Sequence, residues 1–481
     1  MTTRRGFLGL LAGAAVVGAT GFVVVNRPSA SGLLTSARLP PPFAVPLPLP
    51  TVARPARVTA DADYYSVVQR VSDVEILPGV KTQIWGYDGL FPGPLFRLQS
   101  GRQAIVQLRN SLDVPTSTHL HGGVTPSSSD GYPTDLVVPG GTKEYVYPLQ
   151  QRAATLWYHD HRMDYTAPQV WRGLAGMAIV SSPEEENLGL PSGDHDVPLM
   201  ICDRAFGADG SFVYPAAHHG PGVTEAFANG VLGDVILVNG APWPVFEVDA
   251  SLYRFRVLNA SNARRYSLSL SQGELVQIGS DSGLLGRPVR HKELPVSPGE
   301  RFDVVVDFGV FPVGTEVTLL NTLDSGGTGQ VMRFKVVRPG KRSALPERLA
   351  DVSALDGAVT TRTFDFRSSS GDGMTMWTIN GSPFSVTDSL AQPKLGTVER
   401  WRFSSDFHHP VHLHLAHFQV VKRGAGKPLP SDAGWKDTVD VRPYETVEVL
   451  ARFDGFKGRY MMHCHNLEHE DMAMMANFDV G

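Results

Sequence analysis

The sequence predicts an all-β protein built of three β-sandwich domains, and three observations carry that prediction. Glycine (49) and proline (36) are abundant, while charged residues are only 19% of the 481 residues. That balance favours many short strands joined by tight turns over long helices. A turn followed by an alternating strand recurs three times: Phe91-Pro92-Gly93-Pro94 before Ala104 to Asn110, Asn239-Gly240-Ala241-Pro242 before Tyr253 to Asn259, and Asn380-Gly381-Ser382-Pro383 before Glu399 to Phe403. A second marker follows in each copy, as Val138-Pro139-Gly140, Ser297-Pro298-Gly299 and Arg442-Pro443-Tyr444. The three prolines are 159 and 145 residues apart, a period that fits three copies of an antiparallel sandwich.

In chain order, Thr3-Arg4-Arg5-Gly6-Phe7-Leu8 leads into an apolar run from Phe7 to Val25. This is the bacterial twin-arginine export pattern, so residues 1–30 are read as a signal peptide, cleaved after Ala19 or Ala30. The competing reading of the same run is a membrane anchor. With the signal removed, the expected location is periplasmic or extracellular, off the membrane, and the expected state a monomer. Residues 31–57 hold Pro40, Pro41, Pro42, Pro46, Pro48, Pro50 and Pro55, too many for a helix or central strand, and form an extended arm. The domains fall at 58–185, 195–340 and 358–481, with linkers in the polar stretch 181–196 and the basic run 338–348. A hydrophobic fraction of 42% supplies ample core, and a net charge of -5 leaves no basic face for nucleic acid.

Histidine is scarce, 16 residues, yet ten fall in four clusters: His119-Leu120-His121, His159-Asp160-His161, His409-Pro410-Val411-His412-Leu413-His414, and His463-Cys464-His465 with His469. Residues i and i+2 of a strand share a face, so each His-x-His presents two imidazoles side by side. Imidazole suits copper, zinc, iron and nickel alike. The last cluster is more specific. Cys464 must point away from His463 and His465, so one strand serves two metal sites. On the sulfur side, Cys464, His469, His409 and Met474 make a His₂Cys set with a thioether, the arrangement of an electron-transfer copper. Structural zinc, with its Cys₂His₂ or Cys₄ sets, does not match.

The repeat adds a check. Pro139 and Pro443 each precede a His-x-His by 20 residues, whereas the same offset from Pro298 reaches Thr318-Leu319-Leu320. The middle domain is therefore expected to hold no copper, and two His pairs from the first domain must meet two from the third. Eight rings there can hold three metals.

These motifs resemble the multicopper oxidase family of three cupredoxin domains. His119-Leu120-His121-Gly122-Gly123-Val124-Thr125-Pro126 with Asp130-Gly131-Tyr132-Pro133, and His463-Cys464-His465-Asn466-Leu467-Glu468-His469-Glu470, look most like its bacterial spore-coat laccase and bilirubin oxidase branch. The resemblance implies four copper ions. The type 1 copper takes His409, Cys464, His469 and axial Met474; the type 2 copper takes His119 and His412. The type 3 pair takes His121, His159, His161, His414, His463 and His465, without an assignment to each ion. It also points to Asp130 and Glu470 as the acids that relay protons to the cluster, and to an electron path from Cys464 to His463 and His465.

The implied activity is one-electron oxidation of phenols, aromatic amines or bilirubin-like pigments, coupled to four-electron reduction of dioxygen to water. A Cu(I) or other metal-ion oxidase serving metal tolerance is the alternative. Met461, Met462, Met472, Met474 and Met475 flank the ligands, but no long methionine-rich tract follows, which favours the aromatic donor. A non-catalytic relative working as a periplasmic structural or division protein would lack the ligands present here. The remaining histidines, His195, His218, His219, His291, His408 and His417, read as packing, second-rank or surface groups, and Cys202 as a buried inert thiol.

Overall fold

The computed structural model describes residues 31–217, 222–371 and 374–481. Residues 1–30, on which the signal-peptide expectation falls, and the pair His218-His219 lie outside the described residues. Three β-sandwiches follow one another. In the first, a sheet of Arg57–Val58, Ala62–Glu75, Gln103–Asn110 and Thr142–Tyr147, with Lys81–Tyr87 paired to Ala62–Glu75, faces a sheet of Gly93–Gln99, Ala175–Ser181, Ala154–Asp160 and Thr118–His121. The second packs a seven-stranded sheet on a five-stranded one, and the third two five-stranded sheets.

Antiparallel pairing was the expectation, and the sheets are mixed instead. The opening strand of each domain runs parallel to its later central strand: Ala62–Glu75 to Gln103–Asn110, Asp196–Arg204 to Leu252–Asn259, and Thr361–Gly371 to Val398–Ser405. Each central strand then pairs antiparallel with the strand after the proline marker, Thr142–Tyr147, Arg301–Asp307 or Thr446–Arg452. Between the two parallel strands the chain crosses to the other sheet. That crossover supplies the long connection parallel pairing requires. The repeat read from the prolines is thus a repeat of topology.

The proline-rich arm is an extended strap. Ser31–Gly32 pairs parallel with Val231–Leu232, Leu47 donates its N–H to Val245 O (2.8 Å), and Ala53 donates to Leu95 O (2.8 Å). It therefore stitches the second domain to the first. The linker after the first domain contains a short helix, Pro183–Glu186, capped by Ser182. Its buried Glu185 accepts from Arg254 Nη1 (2.7 Å) and Arg256 Nη2 (3.2 Å), tying linker to middle domain. Cys202 is 3% exposed and unpaired, and burial pushes its thiol pKa up.

Candidate metal centres

Two strand pairs bring the histidines together. In the first domain Thr118–His121 pairs antiparallel with Ala154–Asp160, placing His119 directly opposite His159. In the third, His409–Leu413 pairs with Gly458–Cys464, placing His412 opposite His463 and Val411 opposite Cys464. Alternation explains the His-x-x-His-x-His spacing: His409 shares the Val411 and Cys464 face, while His412 shares that of His463. One face looks into the core of the third domain and the other across to the first domain.

On the core side, His409 Nδ1 lies 3.3 Å and His469 Nδ1 3.6 Å from Cys464 Sγ, with 3.1 Å between the two nitrogens. Trp377 stacks on His469 at 3.8 Å between centroids, and the Asn466 side-chain amide lies 3.1 Å from His469 Nε2. Met474 is fully buried in the same apolar cluster as Cys464. Its backbone closes the loop, accepting from Cys464 N (3.1 Å) and donating to His469 O (3.0 Å), with the turn made at Ala473 (φ 77°).

On the interface side, eight rings converge. His121, His159 and His465 form one set, His161, His414 and His463 a second, and His119 and His412 lie together beside them. Among the described residues, all five metal-capable groups of His, Cys, Asp and Glu draw on the first and third domains.

The donor chemistry requires a cation. His414 Nδ1 donates to Asp130 Oδ2 (2.7 Å), and His463 Nδ1 faces Glu470 Oε2 (3.0 Å), yet their Nε2 atoms approach to 3.2 Å. Likewise His119 Nδ1 donates to Asp130 O (2.6 Å) and His412 Nδ1 to Asp437 O (2.9 Å), with Nε2 atoms 3.4 Å apart. A neutral imidazole has one N–H, so these are lone pairs pointing at one another. His121 Nδ1, His159 Nε2 and both nitrogens of His465 are buried without any partner. Burial pushes His119, His121, His414 and His465 well below the usual imidazole range, His159 to about 3 and His161 to about 4, holding the neutral form that binds metal. Burial also pushes the Cys464 thiol up, so its thiolate needs a cation beside it.

The two acids meet different rings of the second set, Asp130 at His414 and Glu470 at His161 and His463. Burial pushes Asp130 up to about 8. At Glu470 burial works the same way, but His161 and His463 outweigh it and hold the carboxyl below its usual range. Glu470 Oε1 also accepts from Thr166 Oγ1 (2.7 Å) of the first domain.

Comparison with known proteins agrees with this geometry. Multicopper oxidase family models match residues 69–185 and 357–481. The chain is 36% identical to the laccase of Bacillus subtilis over 91% of this chain and 98% of that one. The chain belongs to the multicopper oxidase family. It is also 36% identical to the bilirubin oxidase of Albifimbria verrucaria (91% of this chain, 81% of that one) and 32% identical to the cell division protein FtsP of Proteus mirabilis (83% and 86%). The solved multicopper oxidase of Pediococcus acidilactici superposes with a TM-score of 0.85 at 32% identity, covering 95% of this chain and 94% of that one. The three sandwiches are therefore cupredoxin-like, the protein is an oxidoreductase, and copper is its cofactor.

Several residues around this multicopper oxidase's centres were not evident from sequence. Asp437 is buried and accepts from His121 Nε2 (3.0 Å); against the upward push of burial, Arg301 holds it well below the carboxylate range. Asp160 anchors the second histidine strand by accepting from Ser117 N and Arg162 N (both 3.0 Å). A single aspartate, whether between two histidines as Asp160 or before a strand as Asp437, carries no periodic signal that would single it out. His417 donates from Nε2 to Gly122 O (3.1 Å) and meets Arg152 at Nδ1 (2.8 Å), a contact between the third and first domains. His195 pairs with Asp249 and His291 with Gln277, whereas His408, next to His409, pairs with Asp440.

Gly299 of the middle domain touches the ligands directly. Its φ is +84°, and a Cβ there would sit 2.9 Å from the His465 ring and 3.2 Å from His121 Cε1. Gly299→Ala is expected to displace those rings and to lower copper content while the blue colour persists. Full copper occupancy in the variant, measured by elemental analysis, would contradict the close approach.

Proposed function

We propose that this multicopper oxidase is an exported laccase-like enzyme that takes single electrons from small phenolic, aromatic amine or bilirubin-like donors and passes them to dioxygen. The observation that carries the reading is the single strand that turns Cys464 toward His409 and His469 and its two neighbours toward the eight-histidine cluster. In this reading His409, Cys464, His469 and Met474 hold the type 1 copper, and His119 and His412 the type 2 copper. His121, His159 and His465 hold one type 3 copper; His161, His414 and His463 hold the other. Copper bound there supplies one-electron acceptance at the first set and four-electron reduction of dioxygen to water at the cluster.

The chain's own residues connect and equip these sites. Cys464 is joined to His463 and His465 by one peptide unit on each side, and His463 Nδ1 also faces the Cys464 carbonyl (3.2 Å). That gives a short through-bond route between the two faces. Asp130 holds a proton position at the His414 Nδ1 edge, and Glu470 another between Thr166 and His463. Four of the five methionines flanking the ligands, Met461, Met462, Met474 and Met475, are at most 2% exposed. They are not presented to an incoming metal ion, which supports the aromatic donor. Export through the twin-arginine pathway rests on Arg4-Arg5 and the apolar run behind them.

The deciding experiment is oxygen uptake by the copper-loaded protein with a simple methoxyphenol and, in parallel, with Cu(I). Faster uptake with the phenol is expected. Faster uptake with Cu(I) makes it a metal-ion oxidase, and none with either places it with non-catalytic relatives.

A further inference from the structure

Among the described residues the middle domain contributes no side chain to the metal-capable groups, yet one of its side chains reaches two of their histidines through Asp437. Arg301 opens the strand Arg301–Asp307 and is completely buried. A guanidinium carries five N–H donors, and all five are used. Nε donates to Thr155 O (3.0 Å) in the first domain. Nη1 donates to Gly299 O (3.0 Å) and Asp437 Oδ1 (2.7 Å), and Nη2 to Asp281 O (3.0 Å) and Asp437 Oδ2 (2.5 Å). Arg301 therefore bonds to all three domains at once, with a two-pronged grip on Asp437 of the third. Asp281 completes the frame by accepting from Thr438 N (3.2 Å) and by forming an ion pair with buried Lys436 (3.0 Å).

Asp437 passes this grip to the histidines. Its Oδ1 accepts from His121 Nε2 (3.0 Å), and its backbone carbonyl accepts from His412 Nδ1 (2.9 Å). The consequence is tautomeric. With its N–H held at Nε2, His121 offers Nδ1 as its lone pair, and that atom is the one buried without a partner in the set with His159 and His465. His119, His159, His412 and His414 are held the other way, through Nδ1 to oxygen acceptors. Of these five rings His121 is the one whose N–H is held at Nε2, and the group that holds it there is the Asp437 carboxylate at its far edge. That carboxylate can rotate about its own Cβ unless both oxygens are held.

We propose that Arg301 is a positioning residue for the eight-histidine copper cluster: by clamping Asp437 it fixes the ring orientation and tautomer of His121 and the placement of His412. The middle domain thereby sets the binding state of ligands from the other two. The inference rests on the copper assignment above. Carboxylate partners of metal-binding histidines typically change metal affinity or activity about 10- to 100-fold when removed.

The test uses the full-length copper-loaded chain with Arg301→Lys, Arg301→Gln and Asp437→Asn. Three quantities are read: copper retained against a chelator, the type 2 electron paramagnetic resonance signal with the near-ultraviolet band of the coupled pair, and the blue absorption of the type 1 site. Arg301 touches none of the type 1 residues, so the blue band serves as internal reference. Expected is an unchanged blue band with about 10- to 100-fold weaker retention of cluster copper and an altered type 2 signal. Lysine, a single-point donor, should fall between wild type and glutamine, and Asp437→Asn should reproduce the glutamine signature. Wild-type retention and an unaltered type 2 signal in all three variants would overturn the proposal. Parallel loss of the blue band would overturn it too, by making Arg301 a general scaffold residue. A wild type that itself lacks cluster signals sinks the copper assignment and this inference with it, and is distinguished by failing before any substitution.

Discussion

Replacing Cys464 by serine is expected to remove the blue colour and to lower oxidase turnover by about 10³-fold or more, the scale seen when a central catalytic group is lost. The fold should survive. Cys464 is completely buried between Val411, Met474 and the rings of His409 and His469. Serine is slightly smaller, and its hydroxyl can still accept from Asn466 N, which lies 3.4 Å from Sγ. The stability cost is that of a buried hydroxyl, about 1 to 3 kcal/mol. What changes is the donor: a hard oxygen replaces the soft thiolate that selects copper over the other metals imidazole accepts. Copper content should fall by one ion per chain while the cluster stays loaded, because its eight histidines contain no contribution from the sulfur. Elemental analysis, visible absorption and oxygen uptake read these three outcomes. Retained oxidation of phenols in the variant would sink the type 1 assignment.

Much of this site was legible in the sequence because strand geometry leaves a period in it. His-x-His, and a cysteine between two histidines, are statements about opposite faces, and the structure places those residues on the faces the spacing requires. The three-domain repeat was legible for a similar reason, since Pro139, Pro298 and Pro443 each stand three residues before the strand that pairs with a central one. Strand direction was not. Turn residues mark where a strand starts and stops, but whether it lies parallel or antiparallel to its neighbour is decided by crossovers spanning tens of residues, as between Ala62–Glu75 and Gln103–Asn110.

Arg301 and Asp437 were invisible for a further reason. They are 136 residues apart, in different domains, and are matched only when Asp281, Lys436 and Thr155 close around them. Absence of ligands in the middle domain reads, from sequence, as absence of a role. In the folded chain the Pro298-Gly299 turn presses on His465 and His121, and the next strand begins with the arginine that grips Asp437. The division of labour is physical. Ligand rings must be aimed to within a fraction of an ångström, and rings drawn from two domains gain that rigidity from a third element bonded to both.

Asp130→Asn is expected to slow reoxidation of the reduced enzyme by dioxygen about 10²- to 10⁴-fold, the range for losing a positioned proton donor, without touching the blue colour. The side chain is 1% exposed, and its Oδ2 accepts from His414 Nδ1 (2.7 Å). Asparagine keeps that shape and retains a carbonyl oxygen to accept the same bond, so His414 keeps its orientation. It cannot take up or release a proton. The type 1 residues lie on the other face of the Gly458–Cys464 strand, so reduction by a phenolic donor under anaerobic conditions should proceed at the wild-type rate. Glu470→Gln differs in kind. Its Oε2 faces His463 Nδ1 (3.0 Å) and its Oε1 faces both Thr166 Oγ1 and His161 Nδ1 (3.6 Å), so an amide NH₂ meets a histidine edge, donor against donor, whichever way it turns. That variant should therefore disturb His463 and the cluster signals together with the rate, whereas Asp130→Asn should change the rate alone. Stopped-flow reduction without oxygen, followed by mixing with oxygenated buffer, separates the two half-reactions. Unchanged reoxidation in Asp130→Asn would remove Asp130 from the proton relay and leave Glu470 as its remaining candidate.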